Sequence, residues 1–306
     1  MDPVRNPFAP GAGTPPPELS GREELLARAD VMLRRVRIGR PAKGLIAVGL
    51  RGVGKTVLLQ HIRRQAEAEH DRACFIEMLE NRRLAEVLVP QLRRVLLELD
   101  RLGQLNEQVK RGLRVLRSFM SAVRLRHGET ELALDIEPEA GTADSGDIEL
   151  DLPDLLAAVG RAAAARQTAV VLLLDELQYL SQRDLSALIM AIHRTTQEAL
   201  PVVLVGAGLP QLVGLSGRSK SYAERLFDFP PIEALSRPDA IRALTPEGRV
   251  PPASKAVLVN GRIEAEGVSS WHDDGGVVFR AFPFRGSAPW VSPPRRLVFH
   301  ARSVFR

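Results

Sequence analysis

The sequence contains a single cysteine, Cys74, so no disulfide can form within the chain. A reducing compartment is therefore expected, with the thiol serving as a small buried apolar side chain. No apolar run approaches the roughly 18 residues that a membrane-spanning helix requires, and the first residues carry no apolar signal core. The cytoplasm is the expected location, and no membrane partner is expected. Lysine is scarce: 37 of the 42 basic residues are arginines. That imbalance points to coding bias, so the net charge of +5 speaks to solubility and loose attraction to polyanions rather than to a nucleic-acid site. Aromatic residues amount to only 5%, and half of them lie beyond residue 245, together with 7 of the 22 prolines.

What remains is ordinary for a folded domain, with 45% apolar and 26% charged residues over 306 positions, enough for one large α/β domain or for one domain with a smaller appendage. Residues 1–17 are proline-rich without an apolar period and are expected to be a flexible leader. From Glu23 to about Arg37 apolar residues recur at helical spacing, with Ser20 as the expected N-cap and Glu23 completing a capping box. Short apolar runs at Gly44–Val48, Ala73–Glu77, Ala169–Leu174 and Pro201–Val205 are expected as strands. Helical periods at Thr56–Glu69, Arg83–Leu99, Glu107–Arg126, Leu155–Arg166 and Asp184–Ala199 separate them. Strands alternating with helices predict a parallel sheet covered on both faces. Residues 128–151 hold nine acidic side chains and no basic one, and are expected to form an acidic insert, with 131–137 alternating as an exposed strand would.

The chemistry concentrates in two places. Gly49-Leu50-Arg51-Gly52-Val53-Gly54-Lys55-Thr56 follows a predicted strand and opens a predicted helix that continues with Val57. A phosphate needs several donors in one small concave volume, and glycines let backbone N–H groups turn inward at a helix N-terminus. Lys55 is expected to reach the β- and γ-phosphates, and Thr56 to ligate Mg²⁺. About 120 residues on, Val170-Val171-Leu172-Leu173-Leu174 ends in Asp175-Glu176. Asp175 at a strand tip suits the Mg²⁺ shell, and Glu176 suits polarising an attacking water. The pair of motifs predicts a nucleoside triphosphate site, with ATP and Mg²⁺ as the expected ligands.

On these residues the chain resembles an AAA-type P-loop ATPase of the additional-strand class, close to the origin-recognition-complex-like ATPase domains of archaea and bacteria. The resemblance covers about residues 18–245 and makes the two motifs the Walker A and Walker B elements. It implies a three-layer α/β/α fold with a mostly parallel central sheet and a helical insert, occupying residues 18–235. Leu19-Ser20-Gly21-Arg22-Glu23-Glu24 matches the family's element beside the adenine, which implies nucleotide contacts for Gly21 and Arg22. Gln178, after Asp175-Glu176, is implied either to touch the γ-phosphate or only to line the start of a helix. An arginine reaching a neighbouring subunit's nucleotide is implied at Arg225 first and Arg218 second, the alternative being surface salt bridges. The chain departs from the family where the strand after the acidic pair ends in Gly206-Ala207-Gly208, without the usual polar sensor.

The resemblance stops near Leu235–Leu244, which matches the entry to a helical lid. Residues 246–306 show neither lid-like helices nor a sustained period, so an irregular tail from a truncated or frameshifted end is expected. Three functions follow from this reading. The first is a Mg-dependent ATPase acting as a conformational or assembly switch, with a second copy or another protein as partner. The second is an ATP-binding switch that hydrolyses slowly or not at all. The third is an initiator-like DNA-binding ATPase, although no recognition helix is visible.

Overall fold

The computed structural model describes residues 19–101, 106–123, 136–212, 214 and 223–244, and beyond these only the backbone of strands between 256 and 299. The leader, the alternating segment at 131–135 and Arg218 lie outside the described residues.

Five helix-covered strands, β1 (Gly44–Val48), β2 (Arg72–Glu77), β3 (Val170–Asp175), β4 (Val202–Gly208) and β5 (Phe227–Asp228), form one sheet in the order β2-β3-β4-β1-β5. Every pairing in it is parallel. β4 therefore enters between the strand of the glycine loop and the strand of the acidic pair. The two-residue β5 has no hydrophobic pattern of its own to announce it and forms where Phe227 and Asp228 meet Gly44 and Leu45.

Strand side chains alternate between faces, and the core divides accordingly. Leu45, Ala47, Ala73, Val171, Leu173, Val203 and Val205 pack under α1 (Glu23–Arg37) and α2 (Lys55–Ala68). Ile46, Val48, Cys74, Ile76, Leu172, Leu174 and Leu204 face α3 (Leu84–Arg101), α4 (Glu107–Ala122), α5 (Ile148–Ala164) and α6 (Gln182–Gln197). The result is the three-layer α/β/α arrangement with a parallel sheet. Cys74 is fully buried, and burial pushes its thiol up to about 12, so it is an inert core residue.

Three local expectations are corrected. The residue at the α1 N-cap is Arg22 rather than Ser20, with no side-chain cap of its own, and Ser20 sits in the preceding turn. α5 begins at Ile148 rather than Leu155 and carries Pro153 inside it. Asp147 caps it by accepting from Glu149 N, and the acidic first turn complements the helix dipole, so the end of the acidic segment is helix rather than insert. Finally, the tail expected to be irregular contains a second, antiparallel sheet of five short strands, Ala256–Val259, Arg262–Ala265, Val268–Asp273, Gly276–Ala281 and Val298–Phe299. Segments of two to six residues are too short for a period to stand out.

Candidate active site

β1 leads through Val48 into the glycine loop, which sits at the C-terminal edge of the sheet. Gly49 is held against its neighbours: its N–H donates to Gly208 O at 3.1 Å, and a Cβ there would stand 2.2 Å from Ile232 O. The loop then turns through two positive φ angles, +81° at Gly52 and +90° at Gly54, the second being the N-cap of α2. Side chains resist that conformation, so glycine is what allows α2 to start here with its N–H groups facing the loop. Leu50 and Arg51 are exposed, whereas Val53 and Val57 are half-buried.

Lys55 is buried, and its ammonium donates to Gly49 O at 2.9 Å and Leu50 O at 2.7 Å. Burial pushes this ammonium below the usual lysine range, against the pull of the nearby Glu176 and Asp175. The Thr56 hydroxyl donates to Asp175 Oδ2 at 2.6 Å, joining groups 119 positions apart. Asp175 is 2% exposed, and burial pushes its carboxyl above the usual carboxylate range although Thr56 and the Glu176 N–H hydrogen-bond to it. Glu176 takes φ +56° and ψ +41°, a left-handed conformation that costs a non-glycine residue about 1–2 kcal/mol. The bend ends β3 abruptly and starts the one-turn 3₁₀ helix Leu177–Tyr179.

The donor set suits Mg²⁺ with a triphosphate. A hydroxyl and a carboxylate oxygen, both hard ligands, converge at the N-terminus of α2 beside one buried ammonium. Lys55 bonded to its own loop carbonyls shows a cation whose charge is met only by neutral acceptors and nearby carboxylates.

A family model described as AAA ATPase domain matches residues 18–205, more than half of the chain. The chain belongs to this AAA ATPase domain family. Similar solved structures include Cdc6p from Pyrobaculum aerophilum, with 16% identity, a TM-score of 0.47, and coverage of 80% of this chain and 52% of that one. ORC1 from Aeropyrum pernix in complex with DNA shares 16% identity over 78% of this chain and 52% of its own, with a TM-score of 0.40. AMPPCP-bound DnaA from Aquifex aeolicus shares 15% over 78% and 53%, with a TM-score of 0.38. The chain thus spans about half the length of these structures. No curated protein is significantly similar to it.

In this AAA ATPase domain the remaining expected residues separate into two groups. Arg22, which follows Gly21, lies beside the loop: it donates to Val53 O at 3.4 Å and to Glu233 O at 2.5 Å. Its guanidinium is a strut between the glycine loop and the segment after β5. Helix Arg237–Leu244 docks on the same element, since a Cβ at Gly21 would stand 2.9 Å from the Asp239 carboxylate, and Arg242 pairs with Glu23 at 3.3 Å. Gln178 adjoins Glu176, to which its amide nitrogen donates. Arg225 does not join the group. It is exposed on the short helix Ala223–Leu226, which leads directly into β5 where β5 pairs with the start of β1, the opposite end of the sheet from the glycine loop.

Sequence reasoning missed Tyr179, whose hydroxyl accepts from Arg51 at 3.1 Å and ties the loop to the 3₁₀ turn. It also missed Glu233, which contributes only a backbone carbonyl and so leaves no trace in residue type. Among the described residues no helix is long and apolar enough to cross a membrane.

Proposed function

We propose that this chain binds Mg-ATP through Gly49–Thr56 and hydrolyses it, so that nucleotide state switches a conformation or an assembly. The observation that carries this reading is the 2.6 Å contact between Thr56 Oγ1 and Asp175 Oδ2, with Glu176 next in the chain. Loop N–H groups and Lys55 bind the phosphates, while Thr56 and Asp175 hold the metal, which when bound neutralises charge on the transferring phosphoryl group. Glu176 accepts a proton from the attacking water. Arg225, exposed and far from its own chain's loop, serves a neighbouring copy's nucleotide.

The test is Mg-ATP binding and turnover by the full chain beside Lys55→Ala and Glu176→Gln. Binding that vanishes in Lys55→Ala and turnover that vanishes in Glu176→Gln support the reading. A wild-type chain indifferent to Mg-ATP sinks it. A second reading, a binder with little hydrolysis, is favoured by β4, whose last three residues bring no polar side chain. Equal, negligible rates for wild type and Glu176→Gln would select it.

A further inference from the structure

β4 lies between the two strands that carry the site, yet ends in Gly206-Ala207-Gly208. The room this leaves is filled from the 3₁₀ turn that follows β3. Leu177 covers Gly206, where a Cβ would stand 2.4 Å from Leu177 Cδ1. Gln178 then reaches across to the tip of β4, and its Oε1 accepts the Leu209 N–H at 3.2 Å. Its other end, Nε2, donates to the Glu176 carboxylate. A Cβ at Gly208 would stand 3.2 Å from Gln178 Oε1, so glycine there leaves the amide its place. The chemistry also orients the amide. A backbone N–H can be met only by the oxygen, which turns the NH₂ group towards the carboxylate.

We propose that Gln178 is the positioning residue for Glu176, supplying from the 3₁₀ turn after β3 the polar group that β4 lacks. The glutamate's backbone is already bent into the left-handed region, which aims its side chain, and the amide selects one orientation of the carboxylate. Because the same amide is bonded to Leu209 N–H, that orientation follows any movement of the β4 tip. No charged side chain of β4 faces the carboxylate. The groups that do are Asp175 on β3 and Lys55 on α2. This inference rests on the reading of Glu176 as general base.

The test compares ATP turnover, KM for Mg-ATP and affinity for a non-hydrolysable ATP analogue in the full chain and three variants. Gln178→Met keeps the length and bulk of the side chain but removes the amide. Its kcat is expected to fall about ten- to a hundredfold, a share of what a positioned general base contributes, with KM and analogue affinity nearly unchanged. Gln178→Glu keeps an acceptor for Leu209 N–H but removes the donor, and is expected to lose as much. In a Glu176→Gln background, Gln178→Met is expected to cost nothing further, because its effect passes through Glu176.

Full kcat in Gln178→Met overturns the proposal. So does a raised KM with kcat preserved, which would make Gln178 a ligand contact, and so does an undiminished loss in the Glu176→Gln background. Wild-type protein that binds Mg-ATP without turning it over removes the positioning role while leaving nucleotide binding intact. Absence of binding strikes the proposed function itself.

Discussion

The two ends of the parallel sheet bury charge in opposite ways. At the N-terminal end, Asp71 accepts two hydrogen bonds from Arg37, at 3.1 and 2.8 Å, and a third from Ala169 N at 3.2 Å. That carboxylate ties α1 to the starts of β2 and β3, and its hydrogen bonds hold the Arg37 guanidinium above its ordinary range. At the C-terminal end, burial raises the Asp175 carboxyl, burial lowers the Lys55 ammonium, and Glu176 is bent into a left-handed turn. Neither ion there has a direct partner of opposite sign among the hydrogen bonds of the described residues. One end is settled by its own neighbours, and the other is not. The contrast teaches that the same sheet buries paired charge at one end and charge without an ion-pair partner at the other.

The sharpest way to break this comparison is Glu176→Gln. Turnover is expected to fall by roughly a hundredfold or more, the usual contribution of a general base, with affinity for a non-hydrolysable analogue retained. Next comes Asp71→Ala, which leaves Arg37 only its exposed partner Glu69 and leaves the Ala169 N–H without its acceptor. It is expected to cost about 3 kcal/mol in denaturant unfolding with Mg-ATP affinity unchanged. A loss of nucleotide affinity in that variant would show that the two ends are not separate.

A smaller and opposite effect is expected for Asp175→Asn. Because the folded state raises the Asp175 carboxyl, it binds that proton more tightly than the unfolded chain does. Stability of the metal-free protein therefore falls as pH rises from the usual carboxylate range through the raised value, and the cost persists at neutral pH. The substituted amide carries no such charge, so metal-free thermal stability at pH 7 is expected to equal or exceed wild type, while stabilisation by Mg-ATP disappears. Smallest is Tyr179→Phe, which removes one exposed contact to Arg51 and is expected to change stability by less than about 1 kcal/mol in the same assay.

Much of this was legible in residue order. The four main strands announce themselves as short apolar runs because both faces of the sheet are covered, and the glycine loop is readable because phosphate binding demands glycine and lysine at fixed offsets. β5 was not legible, since its two residues owe their strand character to β1. The C-terminal strands escaped a search for periods, although the sequence holds a cue: Asn260-Gly261 and Asp274-Gly275 separate strand ends that pair directly. Ser20 misled because a capping signature is local, whereas Arg22 is placed by carbonyls of Val53 and Glu233 far along the chain.

By itself the sequence determined the phosphate loop, the acidic pair and the α/β class, because each depends on residue types at short, fixed spacing. Tertiary structure alone decided that β4 lies between their strands, that Thr56 meets Asp175, and that Gln178 bridges Glu176 to the tip of β4. Those arrangements depend on which strands become neighbours, and the free energy that chooses neighbours comes from burying two whole faces of a sheet rather than from any local signal.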